Sequence, residues 1–220
     1  MIDSEYQPEL NDNTASFPWP PRDGDSAIDA LATTWKESVF HPTEFFRRMP
    51  REFDFGWVLA YYLIIGVVAG GASLFWHMVF GPPTFLARIF PEMFETATVR
   101  NPVVDFLLSP LWLVFFLFFM GGVYHLCLKM VGGAKTGFGT TLRVLCYSSS
   151  PQIMVAIPFV GGLIGTVWGL VAMIIGIREA HETTTGKAIG ALLIPMLFFV
   201  ALGVLLVVAT LMIPGLNAPR

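Results

Sequence analysis

The sequence predicts an all-α integral membrane protein. It is expected to be a single bundle of five transmembrane helices, with the N-terminus in the cytoplasm and the C-terminus on the far side. Composition, long apolar segments and the distribution of charge lead to this prediction. Of the 220 residues, 55% are hydrophobic and 13% are charged, whereas about a quarter are charged in a typical soluble domain. The mean hydropathy is +0.66.

Charge is unevenly distributed along the chain. Residues 1–56 contain 11 acidic and five basic side chains, a net charge of −6, whereas residues 57–220 contain five acidic and eight basic side chains, a net charge of +3. A polar acidic segment therefore precedes a long apolar body. This pattern, with two cysteines in all, excludes an ordinary soluble enzyme, a nucleic-acid-binding protein and a secreted disulfide scaffold.

Residues 1–25 are predicted to be a disordered tail. They are acidic and rich in Asn and Pro, they lack the apolar segment of a cleaved signal peptide, and they bury too little apolar surface to fold. Aromatic and proline residues alternate at 16–22. They leave a second interpretation open, in which this part of the tail is a polyproline ligand with aromatic anchors.

Residues 26–56 are predicted to form amphipathic juxtamembrane helices. Pro42 opens a second, short helix that ends before Pro50. Its Phe45-Phe46 pair, followed by two arginines, fits either a helix at the lipid headgroups or a helix packed on the membrane body. The first helix has apolar residues at the spacing of one helix face: Ile28, Leu31, Trp35 and Val39.

Five segments are apolar over about the 20 residues that a transmembrane helix needs. The first contains no Lys, Arg, Asp or Glu. The apolar stretch at 140–177 is about twice the length of one span, and Pro158 with the following glycines supplies the turn that divides it. The predicted spans are 57–80, 106–128, 140–158, 161–177 and 188–213, and together they make a membrane domain over 57–213.

The orientation follows from the basic residues near the ends of the spans. If five spans alternate in direction, eight Lys and Arg residues lie on one side and three on the other. The side richer in basic residues is expected to be cytoplasmic. It holds the acidic tail and the loops at 129–139 and 178–187, whereas the loop at 81–104 lies on the far side.

A helix break is predicted inside the third span. Proline removes a backbone donor and clashes with the carbonyl four residues earlier, and serine hydroxyls can satisfy the groups that this frees. Broken helices line binding sites in transporters, but they also occur as plain kinks, so both interpretations remain open. The residues of this break, or of a pathway beside it, are Tyr147, Ser148, Ser149, Ser150, Pro151 and Pro158.

Glycines at a spacing of four form a smooth stripe on the fourth span, where a neighbouring backbone can approach closely. They are Gly161, Gly165 and Gly169. The stripe predicts helix packing, either inside one bundle or in a homodimer.

No residues predict catalysis, a metal site or a cofactor. Five potential metal ligands fall in the cytoplasmic half, and they lack the close sequence spacing of a metal site. They are His125, Cys127, Cys146, Glu179 and His181. A hydrolytic Ser–His pair has neither a G-x-S-x-G elbow nor an orienting carboxylate. The protein is therefore predicted not to be an enzyme.

The polar segment 178–187 is the strongest candidate for a binding surface. Arg178 falls where a span meets the headgroups, and there it can bind a lipid phosphate or a carboxylate. A charged, well-capped turn is the alternative. The predicted cytoplasmic interface for lipid or partner binding consists of Arg47, Arg48, Arg143, Arg178, Glu179, His181 and Glu182.

Four short motifs follow one another between residues 42 and 210. They are Pro42-x-x-Phe45-Phe46; Gly137-Phe138 with Thr141-Leu142-Arg143-Val144; Tyr147 to Pro151 followed by Ile157-Pro158-x-x-Gly161; and Trp168 leading to Gly176-Ile177-Arg178-Glu179-x-His181 and Ala188. Their order and spacing resemble the Ypt-interacting-protein (Yip) domain family, whose members are five-span membrane proteins with a cytoplasmic N-terminus. The resemblance does not extend to residues 1–40 or 81–104.

This resemblance implies a function class. Eukaryotic members bind Rab-type GTPases and shape early secretory membranes, and the compact body looks more like prokaryotic members, which implies the bacterial inner membrane. The predicted function is a non-enzymatic membrane scaffold or adaptor that acts on lipid headgroups or on a cytoplasmic or membrane protein partner. The alternative is a transporter or channel for an ion or small solute. Neither nucleic acid nor a cofactor is expected, and a homodimer remains open.

Overall fold

The computed structural model describes residues 17–50, 54–81 and 101–212, and these residues form helices and loops without any strand. Residues 1–16 of the predicted tail and residues 82–100 of the predicted far-side loop lie outside the described residues. In chain order the elements are α1 (Ala27–Phe40), α2 (Pro42–Arg47), α3 (Phe55–Phe80), α4 (Pro102–Met130), α5 (Phe138–Ser148), a 3₁₀-helix (Ser150–Ala156), α6 (Gly161–Ala180) and α7 (Thr185–Met212).

Four of the described helices, α3, α4, α6 and α7, are long and apolar enough to cross a membrane. The predicted third span, 140–158, differs. It consists of the 11-residue α5 followed by the seven-residue 3₁₀-helix. Neither piece has the length of a spanning helix. The all-helical membrane architecture is therefore confirmed with four long helices, and the five-span topology and its orientation stay predictions.

Helix α4 begins earlier than the predicted 106–128. The Asn101 side chain accepts a hydrogen bond from the backbone N–H of Val103, and Pro102 occupies the first turn. Pro110, which looks like a helix start in the sequence, lies inside the helix instead. The cap and proline at 101–102 outweigh the later Ser109-Pro110 pair because they come first on a continuous apolar segment.

The break in the third segment is locally well satisfied. The hydroxyls of Ser148, Ser149 and Ser150 each donate to the carbonyl three residues earlier, at 2.6–3.1 Å. Pro151 follows in the first turn of the 3₁₀-helix, where its missing N–H costs little. Consecutive serines before the proline therefore explain why the helix changes pitch at this point.

The glycine stripe of α6 packs against this 3₁₀-helix. A Cβ placed on Gly165 would lie 2.7 Å from the carbonyl oxygen of Pro151, and one on Gly161 would collide with the carbonyl of Met154. One on Gly169 would meet the carbonyl of Ser148 at 3.4 Å. Glycines spaced by four on α6 thus face carbonyls spaced by three, at the last residue of α5 and along the 3₁₀-helix, and the stripe packs inside one molecule.

The N-terminal segments pack on the membrane body. At residues 17–20 the structure differs from the predicted disordered tail, because Phe17 and Trp19 pack on the body and are 4% and 3% exposed. Helix α2 packs against α6, and its Phe45 and Phe46 side chains are buried. Of the two interpretations of these helices, packing on the body is the one that matches the structure.

Candidate functional site

Ser150 is the centre of a buried hydroxyl cluster that joins three parts of the chain. Its hydroxyl lies 2.7 Å from Ser38 Oγ of α1 and 2.7 Å from the Tyr61 hydroxyl of α3. Its backbone carbonyl accepts a hydrogen bond from the Trp35 indole at 3.0 Å. The cluster attaches α1 to the helix break.

Two more indole N–H groups fix the N-terminal region. Trp168 of α6 donates to the carbonyl of Val39 at 2.8 Å, and Trp19 donates to the carbonyl of Trp57 at 2.7 Å. Neither Ser38 nor these tryptophans were predicted as site residues from the sequence. The sequence did contain one indication of this contact. Trp35 and Ser38 can both form side-chain hydrogen bonds, and they lie near the apolar face of α1.

An aromatic cluster covers the break on the side of the N-terminal helices. The Tyr147 ring lies 5.2 Å from the rings of Phe45 and Tyr61 and 5.6 Å from that of Phe17. All four side chains are buried. The predicted break residues are therefore divided between two environments, with Tyr147 and Ser150 facing this cluster and Ser148 and Ser149 facing the opposite side, where a cavity lies.

Two arginines converge on one carboxylate at the end of α6. Arg47 Nε lies 3.1 Å from Glu179 Oε2, and Arg178 Nη2 lies 2.7 Å from Glu179 Oε1. The Glu179 side chain is 15% exposed, whereas that of Arg47 is 65% exposed. The one negative charge of Glu179 therefore faces the two positive charges of Arg47 and Arg178. These three side chains together carry a net charge of +1 at the surface.

The other predicted interface residues lie around this group with separate partners. Arg48 pairs with Glu37 at 2.7 Å, and Arg143 donates to the carbonyl of Pro50 at 2.6 Å. Two lysines join the neighbouring loops. Lys135 donates to the carbonyl of Glu182, and Lys187 donates to the carbonyl of Gly132. We call this surface the charged face: Arg47, Arg48, Arg143, Arg178, Glu179 and Glu182, with Lys135 and Lys187.

His181 lies beneath the charged face rather than on it, because it is fully buried. Its two ring nitrogens lie 2.7 Å from Thr136 Oγ1 and 3.0 Å from Thr141 Oγ1. The Thr141 hydroxyl also lies 2.8 Å from His125 Nδ1. Burial, followed by the nearby His125, lowers the pKa of His181 to about 4. His181 is thus a neutral, hydrogen-bonded support that links the loops before α5 and α7.

The cavity on the other side of the break has a volume of about 380 Å³. It lies between α3, α4, the break and α6, level with the middle of the three helices. Apolar side chains form most of its wall, and its polar groups come from Ser148, Ser149, Gln152, Tyr62, Tyr124 and Thr166. Within the described residues, no group of three His, Cys, Asp or Glu side chains is arranged to hold a metal ion.

The chain matches the model of a known protein family. The Yip1 domain model matches residues 36–208, which include α2 to α6, the break and most of α7. The chain belongs to the Yip1 domain family. Comparison with curated proteins and with solved structures finds no match.

Membership of the Yip1 family confirms the resemblance that the four motifs carry. The motif residues meet along α5. The Phe45 ring packs on Tyr147, Gly176 approaches Val144 and Phe46, and His181 lies within hydrogen-bond distance of Thr141. In this Yip-domain protein a Cβ on Gly176 would lie 2.7 Å from Val144 and 3.0 Å from Phe46. The motif glycine therefore permits α2, α5 and α6 to pack together. A prokaryotic origin stays a prediction.

Proposed function

We propose that this Yip-domain protein is a non-enzymatic membrane scaffold or adaptor that acts through the charged face. The observation that carries the proposal is the pairing of Arg47 and Arg178 with the single carboxylate of Glu179. The remaining positive charge is exposed at the surface, where α2 packs on α6.

Anionic lipid headgroups fit this site chemically. Guanidinium groups bind phosphate oxygens through charge-assisted hydrogen bonds, and basic clusters beside membrane spans attract anionic lipids. Basic residues near span ends favour a cytoplasmic location for the face. The protein would thus organise anionic lipid, or a partner carrying acidic groups, at the inner surface of its membrane.

The test is the lipid composition around the purified protein. The full chain is reconstituted with a defined mixture of phosphatidylcholine and phosphatidylglycerol, and the lipids that stay bound after mild extraction are quantified. Arg178→Ala should lower phosphatidylglycerol enrichment several-fold without changing helix content. Arg22→Ala, which removes an exposed arginine outside the charged face, is the matched control. Equal enrichment in the two variants would contradict the proposal.

A second candidate function, transport of a small solute, is favoured by the cavity beside the helix break. Flux into proteoliposomes that disappears in a Ser149→Ala variant would support it. The aromatic cluster on the other side of the break is unfavourable to a continuous pathway, because Phe17, Phe45 and Tyr61 fill the space next to Tyr147. We therefore favour the scaffold.

A further inference from the structure

The cavity beside the helix break contains a polar group that has no partner among the described residues. The side-chain amide of Gln152 makes no hydrogen bond within the part of the chain that the structure describes, and it lines the cavity. An amide offers two donors and an acceptor. At membrane depth an unpaired polar group costs several kcal/mol, because no bulk water is present to satisfy it.

Further hydrogen-bonding capacity surrounds this amide. Ser148 and Ser149 donate to backbone carbonyls of their own helix, which leaves the lone pairs of each hydroxyl oxygen available as acceptors. Thr166 donates in the same way to the carbonyl of Gly162. The site therefore combines amide donors with several hydroxyl acceptors in one place.

The cavity excludes charge. The described residues that line it include no Lys, Arg, Asp, Glu or His, and an ionised group at this depth would be strongly destabilised without a counter-charge. A phosphate headgroup or a metal ion is thus a poor occupant. An uncharged group that both donates and accepts hydrogen bonds is a good one.

Position and shape indicate where the occupant comes from. The lining includes Ile65 near the middle of α3, Leu117 near the middle of α4 and Gly169 near the middle of α6. Helices α4 and α6 do not pack closely on one another, and the rim residues Phe116 and Leu170 are 47% and 44% exposed. The opening is therefore on the apolar flank of the bundle, toward the lipid chains.

We propose that this cavity binds an uncharged glycerolipid with a free hydroxyl, of the diacylglycerol or monoacylglycerol class. Its hydroxyl and ester carbonyl meet Gln152 and Ser149, and one acyl chain lies along the apolar wall. A volume of about 380 Å³ lies within the range of small-molecule sites, about 300–1,000 Å³. The site is distinct from the charged face, and it does not depend on the scaffold function.

The experiment uses the full chain in phosphatidylcholine nanodiscs and a photoactivatable diacylglycerol as the probe. Saturable labelling of peptides from α4 and α6 is expected, with competition by unlabelled dioleoylglycerol but not by dioleoylphosphatidylglycerol. This competition needs no protein variant. Labelling that is not saturable, that spreads over the whole lipid-facing surface, or that both lipids compete for equally would overturn the proposal.

A matched pair of variants tests the role of the amide. Gln152→Met keeps the size of the side chain and removes its hydrogen bonds, so labelling at a fixed probe concentration should fall about tenfold, the equivalent of one or two hydrogen bonds. Leu197→Met introduces the same residue on an exposed position of α7, away from the cavity, and should leave labelling unchanged. Equal labelling of the two variants would overturn the assignment of Gln152. Arg178→Ala should not affect this labelling. A negative result for the cavity therefore says nothing against the scaffold function, and a negative result for the scaffold function says nothing against the cavity.

Discussion

The hydroxyl of Ser38 in α1 lies 2.7 Å from the hydroxyl of Ser150 at the helix break. Ser150 also meets the Tyr61 hydroxyl at 2.7 Å, and its carbonyl meets the Trp35 indole. An N-terminal helix outside the long spans is thus attached to the most irregular point of the membrane body. This arrangement holds α2 and Arg47 in place beside the end of α6.

Removing the Ser150 hydroxyl should destabilise the protein. Ser150→Ala leaves two buried hydroxyls, those of Ser38 and Tyr61, with one partner fewer, and the expected loss is about 1–3 kcal/mol in the free energy of unfolding. Equilibrium unfolding in a mild detergent measures it. Ser149→Ala is the control, since among the described residues the Ser149 hydroxyl bonds only to the carbonyl of Cys146, three residues earlier. Equal losses in both variants would show that the cluster does not stabilise the fold.

The close contact of α6 with the 3₁₀-helix makes a second prediction. Gly165→Ala places a Cβ 2.7 Å from the carbonyl of Pro151, and backbone atoms cannot move aside as a flexible side chain can. Overpacking of this kind costs about 1–3 kcal/mol. Thermal unfolding of the variant should show the loss. Gly162→Ala should keep or slightly raise the stability, because a Cβ there has no atom within 4 Å and Ala favours the helix more than Gly does; a matching loss at Gly162 would contradict the assignment of the cost to the contact with Pro151.

Stability should fall at acidic pH because of His181. Its folded-state pKa of about 4 lies below the ordinary value near 6.5, so the unfolded chain binds the proton more tightly. Stability is therefore complete above about pH 6.5 and decreases as the pH falls toward 4, by an amount on the order of 3 kcal/mol. The unfolding midpoint measured from pH 7.5 to 4 tests this.

The control for this pH dependence is His181→Gln, which replaces the ring with an uncharged amide. Its stability should be lower at pH 7.5 but should change less between pH 6.5 and 4. An unchanged pH dependence in the variant would assign the effect to another group.

Much of the fold could be predicted from the sequence because apolar length is a local property. The first, second, fourth and fifth apolar segments correspond to α3, α4, α6 and α7. The third could not be divided correctly, because hydropathy does not distinguish a spanning α-helix from a short helix joined to a 3₁₀-helix. The break itself was predictable from the serines before Pro151.

The site was predictable only in part, because its contacts join distant residues. Arg47, Arg178 and Glu179 were all predicted as interface residues, but their convergence depends on the packing of α2 against α6. His181 was placed on the surface, yet it is buried beneath it. The order of residues 17–25 depends on the pocket that Phe45, Tyr61 and Tyr147 form, which no local pattern of the tail contains.

If the positive surplus of the charged face gathers anionic lipid, lipid binding should depend on the balance of charge at Arg47, Arg178 and Glu179. Glu179→Gln tests it most directly, because the substitution removes the one carboxylate that Arg47 and Arg178 share while leaving both arginines. Native mass spectrometry of the full chain released from phosphatidylcholine–phosphatidylglycerol nanodiscs counts the bound lipids of each kind. We expect more bound phosphatidylglycerol in Glu179→Gln than in the wild type and less in Arg178→Ala. Unchanged binding in both variants, or a decrease in Glu179→Gln, would contradict it.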